Sequence, residues 1–166
     1  LVAETMERTR ENSIYLPRLP IPESIRITTN LEEAVSLAEI LILVVPSEHL
    51  RGICSTIAPL LNRNQLIVNA TKGIEEGTCL RMTQVIAEVL AQYHLDLPCG
   101  VLSGPSFAPE VASGSPTAIT IASSDPSIAA RVQQEFAGPT LRLYTNDDVV
   151  GVELGGALKN VIAIAA

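Results

Sequence analysis

The sequence predicts a doubly wound α/β domain, a mainly parallel sheet with helices on both faces. Three observations carry that expectation. Ile40-Leu41-Ile42-Leu43-Val44-Val45 is an unbroken apolar run of strand length, the pattern of a strand buried on both faces in a parallel sheet. Strand-like and helix-like segments alternate along most of the chain with short connections, which means crossover units. The chain has 166 residues, 47% hydrophobic and 17% charged, enough for one domain with a real core.

The elements follow in order. Residues 1–10 carry charges at Glu4, Glu7, Arg8 and Arg10 and are expected to be helical. Tyr15-Leu16-Pro17 opens a stretch with further prolines at Pro20 and Pro22; proline donates nothing to a ladder, so this reads as a connector. Residues 25–28 are expected as a short strand, and residues 31–38 as a short helix capped by Asn30. Pro46 ends the strand at 40–45, and Ser47 is placed to N-cap a helix reaching about Asn62. Residues 65–70 form a strand, Thr71-Lys72-Gly73 a turn, and residues 78–93 a helix. Gly100-Val101-Leu102 is a strand leading into Ser103-Gly104-Pro105-Ser106-Phe107-Ala108 and a short helix to Ala112. Residues 117–122 and 141–144 are strands, residues 126–136 a helix, and the last helix begins at Asp147.

Composition excludes several functions. A net charge of −7, 3% aromatics and no Trp argue against a nucleic-acid partner, which would want cations and stacking platforms. No apolar run of membrane length is free of charges. Residues 149–166 come nearest, but they hold Glu153, Lys159 and three glycines and read as a buried core helix. Cys54, Cys79 and Cys99 are an odd set without a Cys-x-x-Cys or a histidine at ligand spacing, so they read as reduced cytosolic thiols, with no disulfide and no metal. His49 and His94 are expected at the surface. Asn69-Ala70-Thr71 matches a glycosylation sequon by chance, at the end of an apolar run. A start at Leu1 and an end inside an apolar helical run suggest an internal fragment.

In an open α/β sheet, ligands bind beyond the carboxyl ends of the strands. Val45-Pro46-Ser47, Ala70-Thr71-Lys72-Gly73 and the Ser103 to Ala108 block all fall there. Lys72 reads equally as a solvated loop lysine or as a cation aimed at a ligand. Lys159 is the stronger candidate, because it sits in a helix that is apolar around nearly its whole circumference. Gly155 and Gly156 each cost that helix roughly 1 kcal/mol relative to Ala, which points to close packing. A buried lysine must find a partner or lose its proton more easily. Glu153 is six residues away and about 120° around the helix, a poor partner along it. A second cation such as Lys72 nearby would make Lys159 a general acid/base. No Gly-x-Gly-x-x-Gly fingerprint occurs in the chain.

Six segments then resemble bacterial-type glycerol-3-phosphate dehydrogenases, in the same order. They are Tyr15-Leu16-Pro17, Val45-Pro46-Ser47, Ala70-Thr71-Lys72-Gly73, Leu102-Ser103-Gly104-Pro105-Ser106-Phe107-Ala108, Tyr144-Thr145-Asn146-Asp147-Asp148-Val149 and Gly155-Gly156-Ala157-Leu158-Lys159-Asn160-Val161. The fourth and the last are the specific ones. The resemblance covers essentially the whole chain and implies a Rossmann-like fold, with residues 1–146 a partial NAD(P)-binding domain and residues 147–166 the start of the helix leading to a substrate domain. It implies interconversion of sn-glycerol 3-phosphate and dihydroxyacetone phosphate with NAD or NADP, serving phospholipid synthesis in the cytoplasm. Lys159 would be the proton acceptor. Lys72 would touch substrate and cofactor, and Gly104, Ser106 and Asn160 the substrate. Tyr15, Pro46 and Ala108 would touch the cofactor. The partner would be a small phosphorylated molecule, and a homodimer is allowed. The family's glycine-rich first strands and its helical second domain are expected outside this chain, leaving the fragment inactive alone. Two alternatives stay open: a related dehydrogenase of the 6-phosphogluconate or 3-hydroxyacid type, and a non-catalytic binding module.

Overall fold

A computed structural model describes residues 2–166; Leu1, the expected start of the first helix, lies outside them. Helix α1 (Val2–Thr9) leads into a two-stranded antiparallel ribbon, β1 (Glu11–Asn12) and β2 (Leu16–Pro20). The proline-rich stretch is therefore a strand and not a plain connector. A two-stranded ribbon has open edges, where a strand tolerates prolines that cannot donate. Residues 25–28 form no strand. Ile25 is exposed, and its carbonyl accepts a 2.8 Å hydrogen bond from the Arg10 guanidinium, so neither an apolar face nor a ladder organises the segment.

The main sheet has five strands in the order β3 (Ile40–Leu43), β4 (Leu66–Asn69), β5 (Cys99–Ser103), β6 (Thr117–Ala122), β7 (Leu141–Asn146). The β3–β4, β4–β5 and β6–β7 pairs are parallel, and β5–β6 is antiparallel. The single reversal has a local cause. Between β5 and β6 the only helix is α5 (Ala108–Ala112), which rises about 7.5 Å, whereas a return along a five-residue strand needs about 17 Å. The chain stays at the rim where β5 ends, and β6 runs back from there.

Helices cover both faces, as the alternation predicts. On one side α3 (Ser47–Ile57) and α4 (Met82–Gln92) pack Leu50, Cys54, Val85, Ile86 and Val89 against Leu41, Leu43 and Ile67. On the other, α6 (Pro126–Phe136) packs Ala129 and Val132 against Leu66, Val68, Ile119, Ile121 and Leu143. Alternate residues of β4 thus serve opposite cores, and all four are buried.

Local chemistry sets the boundaries. Asn30 caps α2 (Leu31–Ser36) through the Glu33 N–H. Ser47 does not cap α3: Pro46 takes the N-cap position without a side-chain bond, and Ser47 is the first helical residue. Pro59 has no N–H to continue the ladder, so the helix tightens into a 3₁₀ turn, Ala58–Leu60. The carbonyl of Ser55, left free by that proline, accepts from the Tyr93 hydroxyl at 3.4 Å. Helix α4 begins at Met82, four residues later than expected, because Cys79 has φ +57° and Ile74 bridges Arg81.

The last helix, α7 (Val149–Ala165), packs against β5 and β6. Its one buried residue is Glu153. The apolar residues Leu158, Val161, Ile162 and Ile164 are exposed, Ile164 at 87%, which corrects the expectation of a buried core helix. Among the described residues, no helix is long and apolar enough to cross a membrane.

Candidate functional site

Strands β3, β4 and β5 end at one rim of the sheet, and the reversed β6 begins there, with Ser103 opposite Thr120. The β4 turn is built from buried polar groups. The Asn69 side chain accepts from Thr71 N–H at 3.1 Å and donates to Thr71 C=O at 3.2 Å. The Thr71 hydroxyl accepts from Val45 N–H at 3.2 Å, tying the ends of β3 and β4 together. Gly73 follows at φ +149°, where a Cβ would lie 2.8 Å from the Ser47 side chain. These contacts aim Lys72 across the rim, and its ammonium donates to the Gly104 carbonyl at 3.1 Å.

The β5 turn is equally confined. A Cβ on Gly104 would sit 2.9 Å from the Ile119 Cα on the neighbouring strand, so only glycine fits. Helix α7 arrives from below, capped by Asp148, whose carboxylate accepts from Gly151 N–H at 2.8 Å. Gly156 lies against Ser103, where an added Cβ would meet Oγ at 2.6 Å. Glu153 accepts from Thr83 N–H at 2.8 Å and from the Thr83 hydroxyl at 2.7 Å, and it is ion-paired to Arg81.

Together these elements enclose an open cavity of about 570 Å³ whose lining includes Lys72, Ser103, Gly104, Gly155, Gly156, Lys159 and Asn160. Four residues singled out in the sequence therefore meet: Lys72, Gly104, Lys159 and Asn160. Ser106 lies in the adjoining turn, its N–H donating to the Gly104 carbonyl at 3.0 Å, exposed and outside the lining. Tyr15, Pro46 and Ala108 are likewise exposed and outside it; the helix of Ala108 packs against β2, which follows Tyr15. Lys159 is exposed and not buried, since α7 presents that side to the open cavity. Glu153 does not pair with it, having been taken by Arg81. Gly156 is closely packed as expected, but nothing lies within 4 Å of a Cβ on Gly155.

Burial, and then the charge of Lys159, hold the Lys72 ammonium below its ordinary pKa. A cavity with two ammonium groups, the hydroxyls of Ser103 and Thr120 and a free glycine edge suits a small anionic ligand that carries hydroxyls. Sequence reading missed Thr120 and Val152 in the lining, whereas Phe107 lies in the block already placed at the rim. The strand register that sets Thr120 beside Ser103 was the only signal for the first, and it is not visible without the reversal of β6. The thiols are free, and His49 and His94 are exposed, as expected.

Comparisons with known proteins identify the family and the fold. Residues 1–129 match the family model described as NAD-dependent glycerol-3-phosphate dehydrogenase N-terminus. The chain is 54% identical to a glycerol-3-phosphate dehydrogenase (NAD(P)+) of Acidobacterium capsulatum over 99% of its own length and 50% of that protein's. It is 51% identical to the protein of the same name from Koribacter versatilis, over 100% of this chain and 49% of the other. Among solved structures, glycerol-3-phosphate dehydrogenase of Coxiella burnetii superposes with a TM-score of 0.90 at 33% identity, covering 99% of this chain and 49% of that one. The chain thus spans about half the length of the curated relatives it matches.

Proposed function

We propose a function from one premise: this chain belongs to the NAD-dependent glycerol-3-phosphate dehydrogenase N-terminal family. The complete protein interconverts sn-glycerol 3-phosphate and dihydroxyacetone phosphate with NAD or NADP. The observation that carries this reading is the meeting of Lys72 and Lys159 in one cavity with Gly104 and Asn160.

Bound NAD(P) would supply the hydride acceptor at C2. The chain's own residues do the rest. Lys159 accepts the C2 hydroxyl proton in alcohol oxidation and returns it when the ketone is reduced. Lys72 faces both substrate and cofactor; its cation offsets the phosphate and any alkoxide that develops. Gly104 lets the backbone approach the substrate, and Ser106 and Asn160 offer hydrogen bonds to it. Tyr15, Pro46 and Ala108 form the cofactor side. An exposed aromatic face at Tyr15, 76% open, and a bare rim at Pro46 and Ala108 fit a planar ring system. The reading makes the protein cytoplasmic, with a small phosphorylated substrate, no nucleic-acid partner and a homodimer allowed.

In the complete protein, dihydroxyacetone phosphate is expected to drive NAD(P)H oxidation, followed by absorbance. Lys159→Ala should lower kcat at least about 100-fold, the low end for a lost general acid/base. Near-normal kcat in that variant removes Lys159 from the chemistry.

A further inference from the structure

We propose that Glu153 is a positioning residue: locked into the first turn of α4, it sets the rotation and height of α7 and thereby holds Lys159 opposite Lys72. The inference rests on the reading of Lys159 given above.

Glu153 is the one buried residue of a 17-residue helix, and it is charged. Both carboxylate oxygens are used. One accepts from Thr83 N–H; the other accepts from the Thr83 hydroxyl and the Arg81 guanidinium. Arg81 is itself steadied by a 3.1 Å bond to the Thr83 hydroxyl. All three donors belong to the start of α4, where the exposed N–H groups favour an anion. Past Glu153, Gly156 lies closely against Ser103, while Leu158, Val161 and Ile162 are exposed. The hydrogen-bonded carboxylate is off the helix axis and directional, so it opposes both rotation and sliding of α7.

Lys159 lies six residues beyond Glu153, about 9 Å along the axis. A side chain projecting about 6 Å from that axis moves about 1 Å for each 10° of rotation, and a misplacement of about 1 Å can lower a rate on the order of 100-fold. Simple packing does not explain the chemistry at this position. An apolar side chain would fill the same volume but would leave the Arg81 cation and the Thr83 N–H without their acceptor.

The test uses the complete protein and reports kcat per cofactor-binding site, so that misfolded molecules do not count. Glu153→Ala is expected to lower that kcat about 10-fold or more while cofactor affinity changes less than about threefold. Glu153→Gln keeps the shape but turns an amide N–H toward Arg81, and should fall between; it carries the comparison if the alanine variant does not fold. The deciding measurement is the double variant Glu153→Ala/Lys159→Ala. A residue acting through Lys159 adds nothing once Lys159 is gone, so the double variant should match Lys159→Ala alone. Unchanged kcat per site in the Glu153 variants, or a multiplied loss in the double variant, overturns the positioning role and leaves the proposed function standing. Near-normal turnover in Lys159→Ala overturns the parent reading, and this inference with it.

Discussion

Two adjacent glycines in α7 should respond in opposite directions to the same added methyl group. At Gly155, nothing lies within 4 Å of the new Cβ. Gly155→Ala then gains only helix propensity, about 1 kcal/mol. At Gly156, the new Cβ would lie 2.6 Å from Ser103 Oγ, with Ser103 Cβ and Lys72 Cγ at 3.7 Å. The first contact is about 1 Å inside ordinary van der Waals separation, and overpacking of this kind costs about 1–3 kcal/mol. Set against the same propensity gain, Gly156→Ala should be neutral to about 2 kcal/mol destabilising. Ser103→Ala removes the clashing oxygen and keeps the 3.7 Å contact, so adding Gly156→Ala on that background should recover the gain. Thermal unfolding of the complete protein separates these outcomes; the shift is about 2–4 °C per kcal/mol at 150–250 residues and smaller at the length of the relatives, about twice this chain. If Gly156→Ala raises the midpoint as much as Gly155→Ala does, α7 does not lie on Ser103 and the site geometry is wrong.

Three further expectations follow from single contacts. The Glu75 carboxyl is held down at about 2 from its ordinary 4.5, first by its hydrogen bonds from Arg51 and then by Thr78. Because the folded value is depressed, its stabilisation is present above 4.5 and is lost as pH falls toward 2; Glu75→Gln should flatten urea midpoints across that window, and parallel curves for the two proteins would refute it. Burial pushes the Cys54 thiol up to about 11 and the Cys99 thiol up to about 12, while Cys79 is exposed. An aromatic disulfide reagent at mildly alkaline pH should therefore titrate one thiol quickly and the other two only after denaturation. Asn69→Ala strips the Thr71 backbone of both its side-chain partners and should cost about 1–3 kcal/mol; a smaller loss in chemical denaturation would mean that water replaces the amide.

What the sequence could and could not say tracks how local the information is. Strand β6 and helix α6 run over the residues expected for them, because Asp125 caps through the Ser127 N–H and Pro126 opens the helix. The stretch at 15–20 was misjudged because proline forbids only a donor, and an edge strand does not need every donor. The late start of α4 depends on Cys79 in a left-handed conformation, which no side-chain pattern announces. Lys72 and Gly104 were legible together, since strand-end turns share a rim; Lys159 stood out by its place in an apolar helix, and Asn160 only through the family resemblance. The partner of Glu153 was not, because Arg81 lies 72 residues away and only the packed fold joins them. The apolar residues around α7 suggested a buried core helix, yet Leu158, Val161, Ile162 and Ile164 are exposed, because composition alone does not say which face a helix packs.

The reversal between β5 and β6 is what makes the two lysines neighbours. Strand β7 follows β6 in parallel, so it runs away from the rim where β3, β4 and β5 end. The helix that leaves it must climb back. From the cap at Asp148 to Lys159, α7 rises about 16 Å, close to the length of a five-residue strand such as β5, about 17 Å. Glu153 and Gly156 hold the helix on the way, and Lys159 emerges at the cavity with Lys72. Had β6 and β7 run with the other strands, β7 would have ended at the rim, and the same helix would have carried Lys159 to the opposite end of the sheet. The five-residue α5, too short to return the chain along β5, is therefore what allows residues 87 positions apart to share one site.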